Sequence, residues 1–293
     1  MTSVRGASAA GVLRPDRLPS FVRLLPPPEV ATLLGHVWIP EWDLPDGVVL
    51  PQSVLAHPAT NLVVQPGGSV VAGASRQATA RQLAGQGWAV GLLLCPAGAE
   101  VLGLDPRRFV DAEVPVGEVR GTGPFAPGGP GGASGAPAVA SRPLPGFTGL
   151  EAEVVRLMTS GEDAPARHQG VLAVLVSWLA GMPAPSAAAV QAGALADLVE
   201  DDPSVRSVQD LAARLGISTR TAERLARRHI GTAPGAMIRR RRLQRAAARL
   251  REDASVSFAA LAAETGYADQ AHFSRDFRAV VGSTLTEYRA ALR

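Results

Sequence analysis

The 293-residue chain contains no lysine, so all 29 of its basic side chains are arginines, and it has one cysteine, Cys95. A single cysteine excludes a disulfide framework and any zinc site built on cysteine ligands. Aromatic residues make up only 4% of the chain. The longest uncharged apolar run, Val171–Met182, is 12 residues long, well short of the ~20 needed to span a bilayer. Met1–Pro15 carries Arg5 and Arg14 but no apolar stretch of the secretory kind. These absences lead to the expectation of a soluble, cytoplasmic protein. GxSxG, phosphate-loop and dinucleotide fingerprints are also missing.

The net charge of +3 hides an asymmetry. Residues 1–203 hold 12 Arg and 18 acids, a net of −6, whereas residues 204–293 hold 17 Arg and 8 acids, a net of +9. A basic C-terminal third on a mildly acidic remainder points to a polyanion-binding module attached to something else. A solvated basic surface accounts for the charge equally well at this point.

Gly121–Gly146 marks the sharpest internal boundary, with 14 of 26 residues Gly or Pro. Such a segment buries too little apolar surface to offset its ordering entropy, and it reads as a tether or long loop, residues 121–148. Before it, short apolar runs at His36–Trp42, Val48–Leu50, Asn61–Gln65, Val70–Gly73 and Trp88–Cys95 alternate with Gly/Pro turn signals. Residues 14–120 therefore read as a β-rich domain, a small barrel or sandwich. After the tether the period becomes helical over Leu150–Thr159, Pro165–Ala180 and Ser186–Val199. The second of these is apolar enough to be buried on most sides. Together they make a helical linker region, residues 149–202.

The basic third, residues 204–293, repeats itself. Ser207–Gly216 aligns with Ser257–Gly266 at an offset of 50. Beyond the glycine the offset is 51, pairing Ser218 with Asp269, Arg224 with Arg275 and Gly231 with Gly282. Each copy reads as a short amphipathic helix, a glycine-opened turn, an N-cap (Ser218, Asp269) and a second helix. This is helix-turn-helix grammar, in which the second helix enters the major groove. A long helix over Gly235–Arg251 joins the copies. Leu211, Leu215 and Leu225 face inward in the first unit, as do Phe273 and Phe277 in the second. Outward-facing arginines suit guanine edges, Gln270 adenine, Glu223 the cytosine amino group and Ala271 a thymine methyl.

LAARLGISTRTAERLARRHIGTAPGAMIRRRRLQRA (211–246) and LAAETGYADQAHFSRDFRAVVGSTLTEYR (261–289) resemble the AraC/XylS family of bacterial transcription regulators. The resemblance covers Ser207–Arg289, about 30% of the chain. It implies an α+β multidomain protein whose all-α C-terminal domain carries two helix-turn-helix units on one linker helix. It also implies a sequence-specific, non-enzymatic DNA-binding regulator without cofactor or metal. Carried over, the base-reading residues are Arg220, Glu223 and Arg224, then Gln270, Ala271 and Arg275. Ser218, Thr219, Thr221, Arg227, Arg228, Arg240, Asp269, His272 and Arg278 become phosphate contacts. Ala226 stands where the family has a large core residue, and Leu285 where it has proline. Double-stranded DNA is the implied partner, with RNA polymerase, a small-molecule effector and a second copy of the chain as further candidates. VWIPEW (37–42), HPATNLVV (57–64), VVAG (70–73) and GWAVGLLLCPAGAEVLGL (87–104) resemble a poorly characterised sensor-like domain preceding some such regulators. The resemblance extends into the helices at 149–202.

Several residues admit two readings. Within Arg239–Arg242, successive positions turn ~100° apart on a helix, so one or two can face phosphate while the rest are solvated or ion-paired. His272 either reaches phosphate or packs beside Phe273. Trp38, Trp42 and Trp88 either line a ligand pocket or fill the core. His36 and His57 lack the third ligand and spacing of a metal centre. Cys95 is an inert buried thiol, a redox sensor, or the nucleophile of a DNA-targeted alkyl-transfer enzyme, which is the alternative function.

Overall fold

The computed structural model describes residues 20–54, 58–75, 78–119 and 144–292. Most of the Gly/Pro-rich tether, the N-terminal segment and His57 lie outside the described residues. Among the described residues nine strands occupy the first part of the chain. They are β1 (Ser20–Leu24), β2 (Leu34–Asp43), β3 (Val49–Val54), β4 (Thr60–Val64), β5 (Val70–Ala72), β6 (Thr79–Ala84), β7 (Gln86–Trp88), β8 (Val90–Leu94) and β9 (Glu113–Pro115). Seven form one antiparallel sheet in the order β1-β2-β8-β4-β5-β9, with β7 pairing β2 as well. Strands β3 and β6 form a separate two-stranded ribbon, Val49 opposite Ala84 and Val54 opposite Thr79.

Alternation along the strands sorts their faces. Val37 and Ile39 of β2, Leu62 and Val64 of β4, and Leu92 and Leu94 of β8 lie in one buried core. That core is closed by α2 (Phe147–Met158) and α3 (Ala164–Ala180), which contribute Phe147, Leu150, Val154, Val171, Leu175 and Leu179. Helix α3 buries a single stripe, His168, Val171, Leu175 and Leu179, rather than most of its circumference. Asp163 caps it by accepting from Ala166 N at 2.8 Å. Glu41 of β2 fastens it, accepting from Arg167 Nη2 at 2.6 Å and meeting His168 Nε2 at 2.7 Å.

The opposite sheet face uses the tryptophans as packing. Trp38 lies flat on Gly91 of β8, where a Cβ would stand 1.9 Å from Trp38 Cε2. Its Nε1 donates to Asn61 Oδ1 at 3.1 Å. Trp42 covers Gly87 in the same way and donates to Ala84 O at 3.3 Å. Trp88 is buried in the core. Among the described residues none of the three is in the lining of the cavity between the domains. The Trp38 and Trp42 rings are taken up by glycine-floored strands.

Short helix α1 (Pro96–Val101) follows β8, and α4 (Ala187–Asp201) leads toward the basic third. Ala192, Leu195 and Val199 of α4 share a core with Ala222, Leu225, Ala226 and Ile230 of the first helix-turn-helix unit. The small Ala226 thus sits fully buried among residues of α4. The structure thereby accounts for its departure from the larger residue expected there.

Candidate DNA-binding interface

The first unit consists of α5 (Val208–Arg214) and α6 (Thr219–His229), and the second of α8 (Phe258–Glu264) and α9 (Gln270–Val281). Helix α7 (Pro234–Glu252) joins them, and α10 (Leu285–Ala290) closes the second unit. Gly216 and Gly266 have φ of 63° and 75°, the left-handed geometry that ends a helix sharply. The caps then fix where each recognition helix begins. Ser218 Oγ accepts from Thr221 N at 3.1 Å, and Asp269 Oδ1 accepts from His272 N at 2.7 Å. Ser207 forms a reciprocal capping box with Asp210, as Thr284 does with Glu287. Leu285, in place of proline, opens α10 and is buried.

Recognition helix α6 buries Ala222, Leu225 and Ala226 and exposes Arg220, Arg224 and Arg227. Glu223 is half-buried, and its Oε2 accepts from Arg227 Nε at 3.1 Å. Thr219 is exposed, while Thr221 Oγ1 bonds the cap hydroxyl of Ser218 at 2.9 Å. Arg228 is half-buried. On α9 the residues Gln270, Ala271, Arg275 and Arg278 are all exposed, and Arg275 Nε reaches back to Ala271 O at 3.3 Å. His272 is also exposed, edge-on to Tyr267 at 5.2 Å and 3.6 Å from Asp276, so it belongs to the surface and not beside Phe273.

A ladder of rings stiffens the second unit. Tyr267–Phe273, Phe273–Phe277 and Phe277–Tyr288 centroids lie 5.3, 5.9 and 5.6 Å apart, within the range of favourable aromatic pairing. Tyr267 donates to Asp276 Oδ2 at 3.0 Å, and burial together with that carboxylate pushes its phenol above the ordinary value. Periodicity does not reveal the role of Arg242, whose guanidinium stacks on the Tyr267 ring at 4.2 Å and donates to Thr265 O at 2.5 Å.

The four consecutive arginines of α7, Arg239–Arg242, therefore do four different things. Arg239 is exposed. Arg241 pairs with Glu200 of α4, Nη1 to Oε1 at 3.0 Å, and Arg242 braces the second unit. Arg240 is only 6% exposed and donates to Ser75 O between β5 and the β3–β6 ribbon. The expectation that Arg240 contacts phosphate is corrected, because the N-terminal domain covers that face of α7.

Other contacts seat the basic third on the N-terminal domain. Glu100 of α1 accepts from Ser186 N at 2.8 Å and lies 3.5 Å from His229 Nδ1 at the end of α6. Ala78 N donates to Val280 O at 2.9 Å. A cavity of about 320 Å³ remains between the domains, with His36, Leu93, Cys95, Glu200, Arg240 and Gln244 among its walls. Burial, then the charge of Asp197, pushes the Cys95 thiol up to about 12. Its Sγ lies 3.7 Å from Ala31 O, and this leaves a poor nucleophile. Among the described residues no group of three His, Cys, Asp or Glu is placed to hold a metal, and no helix is long and apolar enough to cross a membrane.

Comparison with known proteins agrees with this geometry. Residues 211–291 match a family described as a helix-turn-helix domain, and residues 22–115 match a domain of unknown function, DUF6597. No curated protein matches the chain. Among solved structures, an apo ToxT variant from Vibrio cholerae is 9% identical with a TM-score of 0.39, covering 88% of this chain and 98% of that one. ToxT from the same organism bound to an unsaturated fatty acid is 11% identical with a TM-score of 0.34, covering 92% of this chain and 95% of that one. The AraC-like transcriptional activator CuxR is 14% identical with a TM-score of 0.22, covering 77% and 86%. Superpositions this loose say nothing about ligand or partner. The tandem units, their caps and the family match agree that the chain carries a C-terminal tandem helix-turn-helix domain, behind a domain of a family with unknown function.

Proposed function

We propose that this protein regulates transcription by reading DNA sequence in two successive major grooves, one per helix-turn-helix unit. The observation that carries the reading is the pair of exposed recognition faces held on one linker helix. Arg220, Glu223 and Arg224 form the first face, and Gln270, Ala271 and Arg275 the second. Each offers hydrogen-bonding side chains suited to base edges. Arg227, Arg228 and Arg278, with the caps and neighbours Ser218, Thr219, Thr221, Asp269 and His272, flank these faces as phosphate contacts that set register. The N-terminal domain, docked through Glu100 and Ser75, supplies effector sensing or dimerisation.

Selection of bound duplexes from random sequence by the full chain tests the reading. Two short boxes about one helical turn apart are expected. A single box, or no enrichment over bulk DNA, overturns tandem docking.

A further inference from the structure

The two recognition helices are not held alike. Along α7 the packing changes hands: Met237 and Ile238 belong to the core of the first unit, while Leu243, Ala246, Ala247 and Leu250 belong to that of the second. Arg242 stands at the crossover. Its guanidinium lies 4.2 Å from the centroid of the Tyr267 ring and its Nε donates to Thr265 O at 2.5 Å, two contacts on the turn that precedes α9. Tyr267 in turn donates to Asp276 Oδ2 at 3.0 Å, in the second turn of α9. A planar cation stacked on a ring and hydrogen-bonded from its edge fixes direction as well as distance, whereas apolar burial is non-directional. The first unit has Ile217 and Leu225 at the positions equivalent to Tyr267 and Asp276, and both pack in its apolar core. One further contact reaches the same turn from the first unit. Arg206 is an extra residue of the first repeat, lying between Val205 and Ser207 where the second runs directly from Val256 to Ser257. A Cβ on Gly266 would stand 3.6 Å from Arg206 Nη1 and 3.5 Å from Arg242 Nη2.

We infer that Arg242, Tyr267 and Asp276 form a strut that sets the angle of the second recognition helix on α7. They are thereby positioning residues that determine which spacing between two DNA boxes the protein accepts. One base pair added between the boxes moves the second by about 3.4 Å along the duplex and turns it by about 35°. Two rigidly joined readers cannot both engage after such a shift, whereas loosely joined ones engage over a wider range at a lower effective concentration. The inference deepens the tandem reading proposed above and rests on it.

The test uses the full chain and duplexes carrying the two boxes it selects, at the selected spacing and with one base pair added or removed. Duplexes holding either box alone complete the set. For the parent, a one-base-pair change of spacing should cost about tenfold in affinity, the size of a lost base contact. Arg242→Met should flatten this to about twofold, by weakening the best spacing and not its neighbours, with binding to either single box unchanged. Tyr267→Phe, which cuts only the link to Asp276, should flatten it part of the way. It keeps the ring and the core, so it remains informative if Arg242→Met misfolds. An unchanged profile in Tyr267→Phe overturns the inference while the tandem reading stands. So does an equal loss at every spacing and on the single boxes, which a merely destabilised unit would give. A parent indifferent to spacing also overturns the inference, and a parent that selects only one box overturns the tandem reading with it.

Discussion

His229 Nδ1 lies 3.5 Å from Glu100 Oε2, tying the last turn of the first recognition helix to α1 of the N-terminal domain. Burial holds the His229 imidazole below its ordinary 6.5, the charge of Glu100 opposing that shift without reversing it. The folded chain therefore binds this proton less readily than the unfolded chain. Stability carried by neutral His229 is complete above about pH 6.5 and declines as the pH falls toward the lower folded value. Thermal unfolding between pH 7.5 and 5 should show Tm dropping on acidification, and His229→Gln should flatten part of that drop. A His229→Gln profile parallel to the parent would exclude this group as a contributor.

Arg224 and Arg275 occupy equivalent exposed positions in the two units. If each pairs with a base edge, alanine at either site costs about 1–3 kcal/mol at particular base pairs and little elsewhere. Binding to a selected site and to its single-base variants should therefore show discrimination lost over one box in each mutant. Arg278→Ala should instead weaken all sequences alike and lower the salt slope by about 1, the signature of a lost phosphate contact. Uniform losses for all three substitutions would remove direct readout by Arg224 and Arg275.

Trp38 and Gly91 are matched in shape. Adding a methyl at Gly91 drives a carbon to 1.9 Å from the indole, and overpacking of this kind costs about 1–3 kcal/mol. Gly91→Ala should lower the denaturant midpoint accordingly. Combining it with Trp38→Leu, which vacates the space, should give less than the sum of the two single losses. Additive losses would mean that the ring moves aside freely.

The two helix-turn-helix units could be read from sequence because their signals are local. Glycine exits at 216 and 266, caps at Ser218 and Asp269, and inward Phe273 and Phe277 all follow from short-range spacing. Long-range facts were not legible. β1 is half-buried along its whole length and shows no alternation. Among the described residues β6 pairs with β3 and with no other strand, and β9 has three residues, too few to show a period. Periodicity shows that α2, α3 and α4 have apolar stripes, but not that α2 and α3 cover the sheet while α4 joins the first recognition helix. The same limit applies to Arg239–Arg242. Their angular spacing was evident, yet only the docked N-terminal domain determines that Arg240 is the one buried.

Gly231 sits on the seam between the domains. Its φ is 88°, and a Cβ there would stand 2.8 Å from Pro106 O and 3.1 Å from Val110 Cγ2. Alanine at this site meets a left-handed backbone, which costs an L-residue about 1–2 kcal/mol, and a carbonyl that cannot yield as a side-chain tip can. Helix α6 has its own buried core with α4 and α5, so the first unit should keep its fold while its seat on the N-terminal domain loosens. Gly231→Ala should therefore enlarge the radius of gyration in small-angle scattering and speed proteolysis between the domains, with the helical circular dichroism unchanged. Unaltered scattering together with a lowered helical signal would place the damage inside the helix-turn-helix unit, and the seam would then not be what Gly231 serves.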